Sequence, residues 1–138
     1  MRYLVWAVLA LVGYTVVPPL MNLATREIPS DVATFGVASM LAITALSLSL
    51  IGREPIVDQL SSESGIYVFV AGVFLTISIL AFFRALSMGP VSIVVPIFGL
   101  FLVTSSLIGV FFLGEELTRY KIIGITLAIL AIGFLSLE

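Results

Sequence analysis

The sequence has no cysteine and no histidine, and only 10% of its 138 residues are charged. Without cysteine there can be no disulfide, no thiolate metal site and no cysteine nucleophile. Without histidine the commonest general base and metal ligand is gone. Six Lys and Arg stand against eight Asp and Glu, a net charge of -2, so no basic field is present to hold nucleic acid. No metal or other cofactor is expected. A soluble domain carries roughly a quarter charged residues and under half apolar ones. Here 61% are hydrophobic and the mean hydropathy is +1.29. Too few charges remain to cover a water-facing surface, which excludes a soluble globular domain and a disordered chain.

What is present is a series of long uncharged runs: 3–25, 32–52, 64–83, 85–114 and 122–137. About 20 apolar residues in a helix cross the roughly 30 Å hydrocarbon core of a bilayer. Four of the runs reach that length, and the snorkelling stem of Lys121 with Tyr120 extends the fifth. Barrel strands would alternate apolar and polar positions over about ten residues, and no such alternation occurs. The expected fold is therefore all-α: an integral membrane protein with five transmembrane helices, at about 3–22, 30–52, 65–85, 90–113 and 118–137. Short connections leave no room for a soluble domain, so residues 1–138 read as one membrane domain.

The connections carry turn chemistry. Pro29 precedes Ser30 and Asp31, either of which is placed to cap the second helix. Gly89 ends the third helix and Pro90 opens the fourth. In Gly114-Glu115-Glu116-Leu117-Thr118, Thr118 is the expected N-cap of the fifth. The first run is too long for a cleaved signal peptide, contains Pro18-Pro19 and lacks a small-x-small cleavage site, so it is expected to stay as a span. With five crossings, Arg2, Arg53, Arg119 and Lys121 share one side against Arg26 and Arg84 on the other. The positive-inside rule then puts the N-terminus in the cytoplasm by four against two. That margin is small enough to admit dual topology.

No catalytic constellation is visible, and an enzyme is not expected. All eight acidic residues lie in connections or at the termini, whereas a proton relay uses an acid or histidine at membrane depth. The residues that could meet a solute are few. Arg84 is the one charge close to a span, in the sequence Phe82-Phe83-Arg84-Ala85; an interfacial anchor is the plainer reading for it. Pro18, Pro19 and Pro96 each remove a backbone donor inside a span, and interrupted helices line solute paths in transporters. Tyr14 and Asn22, eight residues apart on one face of the first helix, carry groups that a helix satisfies less readily than Ser or Thr. Ser92 is a further polar position. Other hydroxyls are expected to bond within their own helix or to a neighbour. Small residues form stripes at Ala38, Ala42, Ala45 and Ser49, at Gly124, Ala128 and Ala131, and at Ser105 and Gly109, which let helices approach closely.

Two segments carry a family likeness. Ala85-Leu86-Ser87-Met88-Gly89-Pro90-Val91-Ser92-Ile93-Val94-Val95-Pro96-Ile97 resembles the turn between the third and fourth helices of the EamA family, in the drug/metabolite transporter superfamily. Phe112-Leu113-Gly114-Glu115-Glu116-Leu117-Thr118, continuing through Gly124 to Leu127, resembles its "LGE-x-LT…G-x-x-L" signature. In that motif Gly114 would end a helix, Glu115 or Glu116 would cap donors of the next, and Gly124 would permit close packing.

The resemblance implies a transporter of small organic solutes working by alternating access. Typical members hold two five-helix repeats in inverted orientation, and this chain holds one EamA-type repeat. A dimer of half-size units is then implied: an antiparallel homodimer, or a heterodimer with another five-helix half. Tyr14, Asn22, Arg84, Ser92 and Pro96 are its pathway candidates, the bilayer and a small solute its other partners, and the cell membrane its place. The alternative is a non-transporting scaffold or accessory subunit. The small multidrug resistance proteins of the superfamily carry a glutamate within the first helix, and this sequence has none, so their cation-drug/proton antiport is not carried over.

Overall fold

The computed structural model describes residues 2–135, and they form eight helical segments with no strand among them. These are α1 (Arg2–Thr15), α2 (Val17–Ala24), α3 (Ser30–Ile51), α4 (Ile56–Leu60), α5 (Gly65–Met88), α6 (Val91–Gly99), α7 (Phe101–Phe112) and α8 (Arg119–Leu135). Four stretches are long and apolar enough to cross a membrane: Arg2–Ala24, Ser30–Ile51, Gly65–Met88 and Val91–Phe112. The expected fifth span is not matched at that length. Among the described residues α8 holds 17 residues, roughly 25 Å at 1.5 Å per residue. Its expected end at 136–137 lies outside the described residues.

The chain divides into two compact units, Met1–Met88 and Gly89–Glu138. In the first, α5 is the hub: α2, α3 and α4 all pack on it, while α1 runs on into α2 through Val16. The first span is one helix in the sequence reading but is interrupted at Val16, and Pro18 and Pro19 sit in the opening turn of α2. Proline is tolerated there because first-turn N–H groups have no helical partner. The third span runs three residues past its expected end at 85. Arg84 does not stop it, because a charge is no backbone obstacle; the helix ends only before Gly89-Pro90.

The start and end of α3 show local chemistry that differs from expectation. Neither Ser30 nor Asp31 caps it: the helix begins at Ser30 itself, Pro29 occupies the N-cap, and no side chain caps it. The Ser30 hydroxyl instead meets Asp31 Oδ1 at 3.4 Å, and Asp31 complements the helix dipole from the first turn. At the far end Arg53 adopts φ 55°. The Arg53 N–H reaches the Leu50 carbonyl at 3.1 Å and the Glu54 N–H reaches that of Ser49 at 3.1 Å. This is the Schellman pattern with arginine where glycine is usual. The glycine of this turn, Gly52, sits one residue too early. Arg53→Gly is therefore expected to stabilise the chain by about 1 kcal/mol, the cost of holding a side chain in the left-handed region; a denaturation midpoint in detergent micelles measures it.

In the second unit, α6 and α7 both pack on α8. The interruption of the fourth span lies at Leu100, not at Pro96. The helix runs through Pro96, and at the joint the Leu100 N–H bonds the Ile97 carbonyl at 3.2 Å, a tightened i→i+3 turn.

Candidate functional site

Of the five pathway candidates, Tyr14, Asn22 and Arg84 lie in the first unit and Ser92 and Pro96 in the second. Tyr14, near the end of α1, is 43% exposed. Arg84 is exposed on α5 while its neighbours Phe82, Phe83 and Leu86 are buried. No hydrogen bond or ion pair joins either side chain to another described residue. Asn22 is different. It is half-buried on α2, and its Nδ2 donates to the Leu86 carbonyl of α5 at 2.7 Å. Leu86 is four residues before Pro90, so the helical donor for that carbonyl would be a nitrogen without hydrogen. The Asn22 amide serves it instead. Sequence reasoning singled out Asn22 but not this partner, 64 positions away; the Leu-x-x-x-Pro spacing was the available signal.

Ser92 is exposed in the first turn of α6 and Pro96 is half-buried one turn later. The ring of Pro96 leaves the Ser92 carbonyl without its i+4 donor, so both candidates concern one point of the helix.

The turn between α7 and α8 is built around two glycines. Gly114 has φ +68°, a left-handed conformation that reverses the chain. The reversal brings the Glu115 N–H to the Gly109 carbonyl at 3.2 Å, where the Leu113 N–H also bonds at 3.2 Å. Gly109 is buried, and a Cβ there would stand 3.2 Å from the Glu115 carboxyl carbon. Small size at Gly109 is thus what lets Glu115 fold back. Its carboxylate does not cap α8 as expected; Oε2 pairs with Lys121 Nζ at 3.1 Å. Capping falls to Thr118, whose hydroxyl accepts from the Lys121 N–H at 3.3 Å, as the sequence suggested. Glu116 is exposed.

Glu115 and Lys121, with Ser106, Gly124 and Ile125, line a cleft of about 250 Å³. The close packing expected on Gly124 is not met within the described chain, since a Cβ there would find no atom within 4 Å. The Glu115–Lys121 pair was not legible in advance, because it depends on the turn that Gly114 makes.

Elsewhere six hydroxyls are satisfied within their own helices. Thr15, Thr44, Ser47, Thr76, Ser106 and Thr126 each donate to the carbonyl four residues back, at 2.7–2.9 Å. Among the described residues no three acidic side chains gather as metal ligands. The chemistry on offer is hydrogen bonding and charge at helix ends.

A protein-family model, the EamA-like transporter family, matches residues 1–137. The chain belongs to that family. A Sinorhizobium protein described as "Uncharacterized transporter in cobO 3'region" is 28% identical over 133 residues, which cover 96% of this chain and 93% of that protein. That protein is thus nearly the same length. No solved structure matches the chain. Family membership and the apolar helices make this a membrane transporter.

Proposed function

We propose that the chain carries small organic solutes across the cell membrane by alternating access, as a dimer of half-size units, with a weak bias to a cytoplasmic N-terminus that admits dual topology. The observation that supports this most is how little each span covers: 6–11% of each spanning window is buried. On α3 the stripe Ala38, Ala42 and Ala45 is exposed, although small residues in membrane helices mark close helix contacts. Such a face suits a second five-helix copy. Inverted repeats place solute sites at their interface, and Tyr14, Arg84, Ser92 and the Ser92 carbonyl that Pro96 leaves without its i+4 donor supply the polar groups for one. Asn22 is already engaged by Leu86.

The test is solute flux in proteoliposomes across a panel of metabolites, with the protein expected to exceed empty vesicles for at least one class. Flux that never rises above the empty-vesicle level would favour the scaffold reading. That alternative draws on the absence of any acid within a span. Orientation is tested separately with Ser62→Cys in the otherwise cysteine-free chain. An antiparallel homodimer gives populations labelled from both sides; one-sided labelling leaves the heterodimer.

A further inference from the structure

We propose that Asn22 is a latch: its amide supplies the donor that Pro90 cannot give to Leu86, clamping α2 to α5 and leaving α1 as an arm that pivots at Val16. The proposal goes beyond the transport reading, and its test reads no flux.

Three observations converge on it. The first is the joint itself. Pro18 and Pro19 bring no N–H, so the carbonyls of Tyr14 and Thr15 lose their i+4 donors in succession. The helical hydrogen bonding is interrupted at Val16 alone, whose backbone stays helical at φ -84° and ψ -13°, and a Cβ at Gly13 would meet nothing within 4 Å. Sharp bends in helices arise at such proline sites, and hinges are a few positions that absorb the backbone change.

The second is the contrast on either side of the joint. α2 buries Pro18 and Met21 and packs on α5. α1 buries no residue, and α2 is simply its continuation along the chain.

The third is the bond. Asn22 Nδ2 lies 2.7 Å from the Leu86 oxygen, and Leu86, with Phe82 and Phe83 on the same helix, is among the most buried side chains of the described residues. Interhelical bonds from asparagine hold membrane helices where apolar packing alone does not discriminate lipid from protein. Asn22 is thus a positioning residue: it fixes one half of the first span and thereby locates the pivot.

Electron spin-echo distances in nanodiscs test this, using two cysteine pairs at exposed sites. Leu23→Cys with Val68→Cys reports α2 against α5, and Leu4→Cys with Leu80→Cys reports α1 against α5. Labelled chain is diluted with unlabelled chain so that both spins sit in one protomer. The α1 pair is expected to give a distribution about twofold broader than the α2 pair, as a hinged arm requires. Equal widths in the parent chain would overturn the pivot without any latch variant. Asn22→Ala, and Asn22→Leu as the variant that lipid tolerates better, should widen the α2 distribution toward that of α1. An unchanged α2 width in a variant that keeps its helical circular dichroism would overturn the latch.

Discussion

Gly65→Ala is expected to be the most damaging single methyl that can be added to this chain. Gly65 opens α5 and is fully enclosed by the turn before it: a Cβ there would overlap the Leu60 carbonyl oxygen and stand 2.7 Å from its carbonyl carbon. Both obstacles are backbone, so no rotamer can relieve them. The Gly65 N–H is itself tied to the Ser62 carbonyl at 2.9 Å, which prevents a sideways shift. Either α4 lifts from the start of α5 or the first turn of α5 unwinds. Overpacking of this kind costs about 2–3 kcal/mol, to be read as a lowered unfolding midpoint in detergent together with faster proteolysis at residues 56–64. Gly72→Ala, on the same helix with nothing within 4 Å, is the control and should be neutral or slightly stabilising.

The second large effect is expected at Gly114. Its φ of +68° is strongly disfavoured for a β-branched residue, so Gly114→Val should cost about 2 kcal/mol or more. The loss is larger than local strain, because the reversal at Gly114 aims Glu115 at Gly109 and Lys121. When it fails, the Glu115 N–H bond and the carboxylate–ammonium pair fail with it. The pair itself is exposed on both sides and contributes little alone. Gly114→Asn, which visits the left-handed region more readily, should retain most of the stability. Amide hydrogen exchange over residues 113–121 distinguishes the two: rapid in the valine variant, near the parent rate in the asparagine variant.

Much of the architecture could be read directly from the charges. Helix ends at 30, 52 and 65 fall within a residue of their expected places, because charge at membrane depth is costly and collects in the connections. The reading erred where backbone geometry, not polarity, decides. Pro18 and Pro19 look like a defect inside a helix, yet they restart one. Pro96 looks like a break, yet the break falls at Leu100. Arg84 looks like an end, yet α5 continues to the proline turn. The short α4 was missed because Pro55 and the polar residues around it carry loop composition, and five residues hold too little periodicity to detect. Asn22 was found by its chemistry and assigned to a solute, because its carbonyl partner is a property of the fold; the Glu115–Lys121 pair was unreadable for the same reason.

The hydroxyls that donate to their own helices also bear on how such a chain is made. A polar group entering hydrocarbon unpaired is costly, and a hydroxyl already closed on the carbonyl four residues back enters with its donor satisfied. These hydroxyls therefore ask nothing of a neighbouring helix when their segments enter lipid, in contrast to Asn22, whose amide is met by α5. Assembly becomes a later and separate event, driven by packing between helices that are already stable on their own. A chain with so much uncovered surface draws on that property most, because so few of its groups are covered by a neighbouring helix.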